Sequence, residues 1–176
     1  MRVEKCQPEE RKGKAMYIQE AELFRGVEEQ AMNEISKIMV MESCDKGSVL
    51  FTPKHPANNF FILFEGRVRL AMGDEAEIDY MVSKRGEVFG WSGLVDREFY
   101  YARAECVEPS KVYKIDKEQL NRIFAKYPTS GMVFHRRLAG AVVQRLLYSY
   151  ETFLRQGRLG EVTSFGTRQV MAAGEE

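Results

Sequence analysis

The chain has 176 residues, enough for one domain with a sizeable core plus an extended element and too few for two ordinary domains. Its 26 basic and 26 acidic residues cancel, so overall charge argues for neither a nucleic-acid coat nor a polybasic membrane anchor. Cys6, Cys44 and Cys106 form neither a CxxC pair nor an even disulfide framework, the start is charged, and the longest dense apolar run, 60–64, is far below spanning length. The expectation is a cytoplasmic protein with no leader and no membrane span.

Residues 1–14 are charge-rich, carry Pro8 and Gly13, and bury too little apolar surface to order themselves, so a flexible arm is expected. The main domain is expected over 15–128. It opens with AMYIQEAELF, 15–24, read as a short helix, and with VEEQAMNEISKIM from Val27, which sets Ala31, Ile35, Ile38 and Met39 at helical spacing. After Val40 the period shifts towards two, and turn signals recur at Lys46-Gly47, 53–56, Glu65-Gly66, Gly73-Asp74 and 84–86. Strands are expected at 40–43, 48–51, 59–64, 67–72, 78–82, 100–106 and 111–115. In Arg67-Val68-Arg69-Leu70 basic and apolar residues alternate, as they do where one sheet face is wet and the other packed. The fold class that follows is mainly β with flanking helices, a sandwich or rolled barrel.

Asp116 precedes KEQLNRIF, where its carboxylate can accept amide hydrogens of the first helical turn, and that helix stops near Tyr127-Pro128. The longest helical pattern covers 129–155. One apolar stripe runs Ala139, Val142, Leu146, Phe153, and a second runs Val143, Leu147, Tyr150, Leu154. A single barrel cannot cover both, so a partner helix is implied and the first stripe is the expected homodimer seam. The tail, 156–176, is glycine-punctuated and reads as loosely ordered.

The candidate site is GEVFGWSGL, 86–94, with FYYARAEC, 99–106: a glycine-punctuated turn, a short polar link, then aromatic residues and an arginine. That layout suits a small anionic ligand. The order of elements, together with LFRGV at 23–27, KGSVLF at 46–51, FFILFEGRVRL at 60–70, GEVFG at 86–90 and VYKIDKEQL, resembles the cyclic-nucleotide-binding domain family. In particular it is similar to the sensor half of bacterial regulators of the catabolite-activator and fumarate-nitrate-regulator type, over roughly 17–155. The resemblance implies a jelly-roll β-roll with N-terminal helices and a long C-terminal dimerisation helix. It also implies a non-enzymatic regulatory protein that binds a cyclic nucleotide or another small anion and signals through a dimer and a protein partner. No carboxylate pair, serine-histidine-acid set or metal cluster offers workable spacing for catalysis.

The family's phosphate cassette looks like F-G-E-x-A-L followed by an arginine and a small hydroxyl residue. A short helix offers backbone amides to the cyclic phosphate, the arginine adds a charge-assisted bond, and the glutamate holds the ribose. Phe89, Gly90 and Leu94 fit this pattern, but Trp91 replaces the glutamate and Gly93 the alanine, with Ser92 between them. Counting back from Ile115-Asp116, the phosphate arginine falls on Tyr100, next to Tyr101, and Arg103 falls near the hydroxyl position. Loss of the charged contact costs about 2–3 kcal/mol, on the order of a hundredfold in affinity, so ordinary cAMP or cGMP binding is doubtful. Trp91 and Tyr100 plug the cavity in the alternative reading, a ligand-free interaction module. The resemblance places Arg145 near a purine, although a coiled-coil flank explains it equally. His55 reads as a solvated turn residue and His135 as a helix flank, and three scattered cysteines cannot hold an iron-sulfur cluster. No winged helix-turn-helix pattern follows the long helix, which leaves a free-standing module acting through another protein, or a piece of something longer, with the tail favouring the first.

Overall fold

The computed structural model describes residues 21–72, 78–95 and 97–155, with the side chains of 78, 79 and 152–155 excepted. The expected arm, the start of the first helix, the Gly73-Asp74 turn and the expected tail lie outside the described residues. The chain divides into two compact units, Met1–Arg137 and Leu138–Glu176.

In the first unit a 3-10 turn, Glu22–Phe24, leads into helix α1, Glu29–Ile38. Ala31, Met32 and Ile35 are buried on one face of α1, the stripe its spacing dictates. Eight strands follow among the described residues: β1 Val40–Cys44, β2 Val49–Phe51, β3 Asn59–Glu65, β4 Val68–Met72, β5 Ile78–Val82, β6 Val88–Phe89, β7 Arg103–Cys106 and β8 Ser110–Asp116. They form two antiparallel four-stranded sheets, in the orders β1-β8-β3-β6 and β2-β7-β4-β5. This is the expected β-roll with flanking helices. Helix α2, Lys117–Lys126, comes next, and helix α3, Pro128–Arg155, begins in the first unit.

The space between the sheets is filled by Phe51, Phe61, Leu63, Val68, Leu70, Phe89, Ala104 and Val112. A second apolar layer lies on the other side of β3, where Phe60 joins Phe24, Phe124 and Phe134; Phe24 and Phe134 have ring centroids 5.0 Å apart, as do Phe124 and Phe134. Strand β3 is therefore buried on both faces, which explains why FFIL is continuously apolar whereas Val68-Arg69-Leu70 alternates. Asp116 caps α2 by accepting from the Gln119 amide at 2.9 Å.

Three expectations need correction. Within the described part of the first expected helix there is only the three-residue 3-10 turn. The pair Val88-Phe89 is a strand, bonded to Phe61 and Ile62, too short for any periodicity to reveal. Strand β7 starts at Arg103, not at residue 100, because Tyr100 bonds the 52–57 loop instead: its amide donates to the His55 carbonyl at 3.0 Å and its carbonyl accepts from the Lys54 amide at 3.1 Å.

In the second unit α3 continues to Arg155 and leaves Val142, Val143, Leu146, Leu147 and Tyr150 exposed, as well as Ala139. The side chain of Phe153 lies outside the description. No described helix is long and apolar enough to cross a membrane.

Candidate functional site

The turn that the sequence singles out is held from both ends. On its entry side Glu87 accepts the Tyr80 hydroxyl at 2.5 Å and the amides of Ser83 and Lys84 at 3.1 and 3.2 Å, so one carboxylate fixes the path into β6. Strand β6 then delivers Phe89 into the space between the sheets, 5.4 Å from Phe61. Gly90 reverses the chain at φ 72°, a left-handed conformation that a side chain would strain, and a Cβ there would come within 3.0 Å of Phe51 and Phe61.

Residues Trp91–Leu94 form a single 3-10 turn. The Ser92 carbonyl accepts from both the Val95 and Arg97 amides at 3.2 Å, which closes the turn on itself. Gly93 faces the Ala57 carbonyl so closely that any Cβ would stand 1.9 Å from its oxygen. That contact is why the alanine of the resembled pattern is absent here: the turn leans directly on the 52–58 segment. Trp91, Ser92, Gly93 and Leu94 are all half-buried, so Trp91 does not fill the interior.

Tyr100 does. It is buried, its ring is stacked on Phe51 with centroids 4.0 Å apart, its hydroxyl donates to the Asn59 carbonyl at 2.6 Å, and the Asn59 amide donates back at 3.2 Å. Burial raises the phenol above its ordinary pKa, against the opposing effect of the Asn59 bond, so the group is neutral at physiological pH. Tyr100 is thus an uncharged ring whose polar tip is already satisfied.

The other expected site residues are dispersed. Tyr101 is two-thirds exposed, with the Arg97 guanidinium 5.3 Å from its ring centroid and bonded to its hydroxyl at 3.4 Å. Arg103 opens β7 on the outer face, because Ala104 takes the inner one, and its Nε bonds Glu105 at 3.2 Å. Arg145 belongs to the second unit, half-buried on α3. His55 bonds Thr52 through Nδ1 at 3.2 Å, and His135 bonds the Gly131 carbonyl at 2.8 Å. Among the described residues no group of three metal-ligating side chains occurs.

Two neighbours of the turn were not legible in advance. The stem of Lys117 passes within 3.0 Å of where a Cβ on Gly93 would lie, and Arg97 leaves the turn beside Tyr101. Both are cationic, and both owe their place to the fold: Lys117 reaches the turn because its amide bonds the Asn58 carbonyl at 2.9 Å. This bond continues the pairing of Asn59 with Asp116 and sets residue 117 beside the 52–58 segment on which Gly93 rests.

Residues 41–127 match the model of the cyclic nucleotide-binding domain. This segment belongs to that family. The chain is 27% identical to the global nitrogen regulator of Synechocystis sp. over 111 residues, a match that covers 60% of this chain and 48% of that protein, so the chain spans about half the length of the curated relative it matches. Among solved structures, a cyclic nucleotide-binding domain from Methylobacillus flagellatus KT superposes with a TM-score of 0.71 at 17% identity, covering 87% of this chain and 86% of that one. The sensor domain of the transcriptional regulator DNR from Pseudomonas aeruginosa superposes at 0.65 and 20% identity, covering 78% and 94%. At these identities the two structures establish the fold, a cyclic nucleotide-binding-domain β-roll with a long C-terminal helix, and the family match makes it a fold of regulatory, sensor type.

Proposed function

We propose that the chain is a non-enzymatic sensor module of the cyclic nucleotide-binding-domain type that has lost selectivity for cAMP and cGMP. It acts as a homodimer through the α3 stripe Ala139, Val142, Leu146 and Phe153, and it signals to a protein partner. The observation that carries this reading is Tyr100: a buried, neutral, fully bonded phenol occupies the place where the resembled cassette has its phosphate arginine. Arg103 offers no replacement from the outer face of β7, where Glu105 holds it. What the turn retains is backbone shape, with Lys117 and Arg97 beside it, which suits a small anion held more loosely than a cyclic phosphate. The stacked interior of Phe51, Phe61, Phe89 and Tyr100 favours a second reading, an interaction module without a ligand.

Isothermal titration of the full chain with cAMP and cGMP tests the proposal. The expected outcome is no dissociation constant below about 100 μM, and low-micromolar binding of either nucleotide overturns it.

A further inference from the structure

A pair of thiols lies at the other end of the roll from the turn, outside anything the proposed function uses. Cys106 is fully buried in the inter-sheet core on β7, and the half-buried Cys44, last residue of β1, packs against the same core. The two strands belong to different sheets. They are drawn together by the segment after Cys44, which folds onto Cys106: the Gly47 amide donates to the Cys106 carbonyl at 2.7 Å and the Cys106 amide donates to the Ser48 carbonyl at 2.9 Å. Cys44 also pairs in register with Ser110, across the loop from Cys106. Cys44 thus packs against the core that encloses Cys106, and each thiol influences the ionisation of the other.

We propose that Cys44 and Cys106 are an oxidisable dithiol, converted by a peroxide oxidant into a disulfide that clips β1 of one sheet to β7 of the other. The chemistry needs only hydrogen peroxide as co-reactant. The Cys44 thiolate, on the half-buried and accessible side, attacks a peroxide oxygen; the O–O bond breaks, water leaves after protonation, and Cys44 becomes a sulfenic acid. The Cys106 sulfur then attacks Cys44; the S–S bond forms, the S–O bond breaks, and a second water leaves with the Cys106 proton. Two electrons pass from the sulfur pair to the peroxide, and two water molecules result. Burial raises both thiols and pushes Cys106 up to about 11, so the thiolate is scarce at neutral pH and the reaction is slow there and faster in mild base. A slow, enclosed pair of this kind responds to sustained oxidant rather than to brief exposure.

The test uses the full chain carrying Cys6→Ser, so that the remaining thiols are the pair itself. After hydrogen peroxide and blocking of residual thiols with an alkylating agent, mass spectrometry is expected to find the intact protein lighter by two hydrogens, with a cross-linked peptide joining residues 44 and 106. Closure of so long a loop should also raise Tm, on the order of 10 °C, and dithiothreitol should reverse both effects. Cys44→Ser, at the half-buried position, must abolish the species even if Cys106→Ser fails to fold. Overoxidation of Cys44 without a cross-link, or an unaltered two-hydrogen loss in Cys44→Ser, overturns the proposal. Because neither cysteine touches the turn at 90–94, nucleotide titrations and this assay fail or succeed independently.

Discussion

Tyr100 shows how one side chain can hold two distant segments of chain together. Its ring supplies apolar contact to Phe51, and its hydroxyl exchanges two hydrogen bonds with the backbone of Asn59, so it ties the crossing segment 99–102 to the first residue of β3. An arginine at this place would bring a charge into a space lined by Phe51, Phe61 and Phe89, and burial of an unpaired charge is far costlier than burial of a phenol. Tyr100→Phe keeps the stack and removes the hydroxyl, leaving the Asn59 backbone groups without this partner. The expected loss is about 1–2 kcal/mol of stability, read as a lowered Tm in thermal melts, with no change in the measured response to cyclic nucleotides. A variant with unaltered Tm would show that the Asn59 bonds contribute nothing.

Helix α3 carries two different jobs along its length. Near its start Phe134 completes an aromatic cluster with Phe24, Phe60 and Phe124, whereas from Leu138 onward it presents Val142, Val143, Leu146 and Leu147 to solvent. Leu146→Glu places a charge in the proposed seam while leaving the first unit intact. Light scattering is expected to show the mass falling from dimer to monomer, and an unchanged mass removes the seam assignment. At this scale the sequence was informative wherever an element is covered on one face. The α1 stripe, the Asp116 cap and the alternation of Val68-Arg69-Leu70 could all be read directly. It was uninformative where pairing is set by distant chain. The two-residue β6 exists because β3 offers it a free edge, and residues 100–102 read as strand because the β-forming Tyr100 and Tyr101 cannot reveal that the 52–57 loop captures Tyr100 first. Within the site, the glycines and Phe89 were legible from their spacing, while Lys117 was not, since its approach to Gly93 depends on a bond made across the fold to Asn58.

At the scale of the molecule, ionisation gives a stability profile with a definite sign. Cys106 is raised by burial to about 11 and Tyr100 is raised in the same sense, so both groups hold their protons more tightly folded than unfolded. The unfolded chain therefore loses protons first as pH climbs, and stability falls from the ordinary thiol value upward until the folded groups ionise too. Glu34 acts at the other end of the scale: hydrogen bonds from Lys126 and then Tyr127 lower its carboxyl, so its contribution is present above the ordinary carboxylate range and lost on acidification. Denaturant titrations across pH are expected to give a plateau near neutrality with a decline on the alkaline side, shallower in Cys106→Ala, and a profile that keeps rising above pH 9 would contradict the assignment. The two faces of β3 serve separate cores: Phe61 and Leu63 lie between the sheets, and Phe60 lies against Phe24 and Phe134. A strand used this way is a party wall. Neither room it divides can be refurnished alone, because a shift of its backbone to suit a new occupant on one side moves the plaster on the other, and paired substitutions at 60 and 61 should therefore be strongly non-additive.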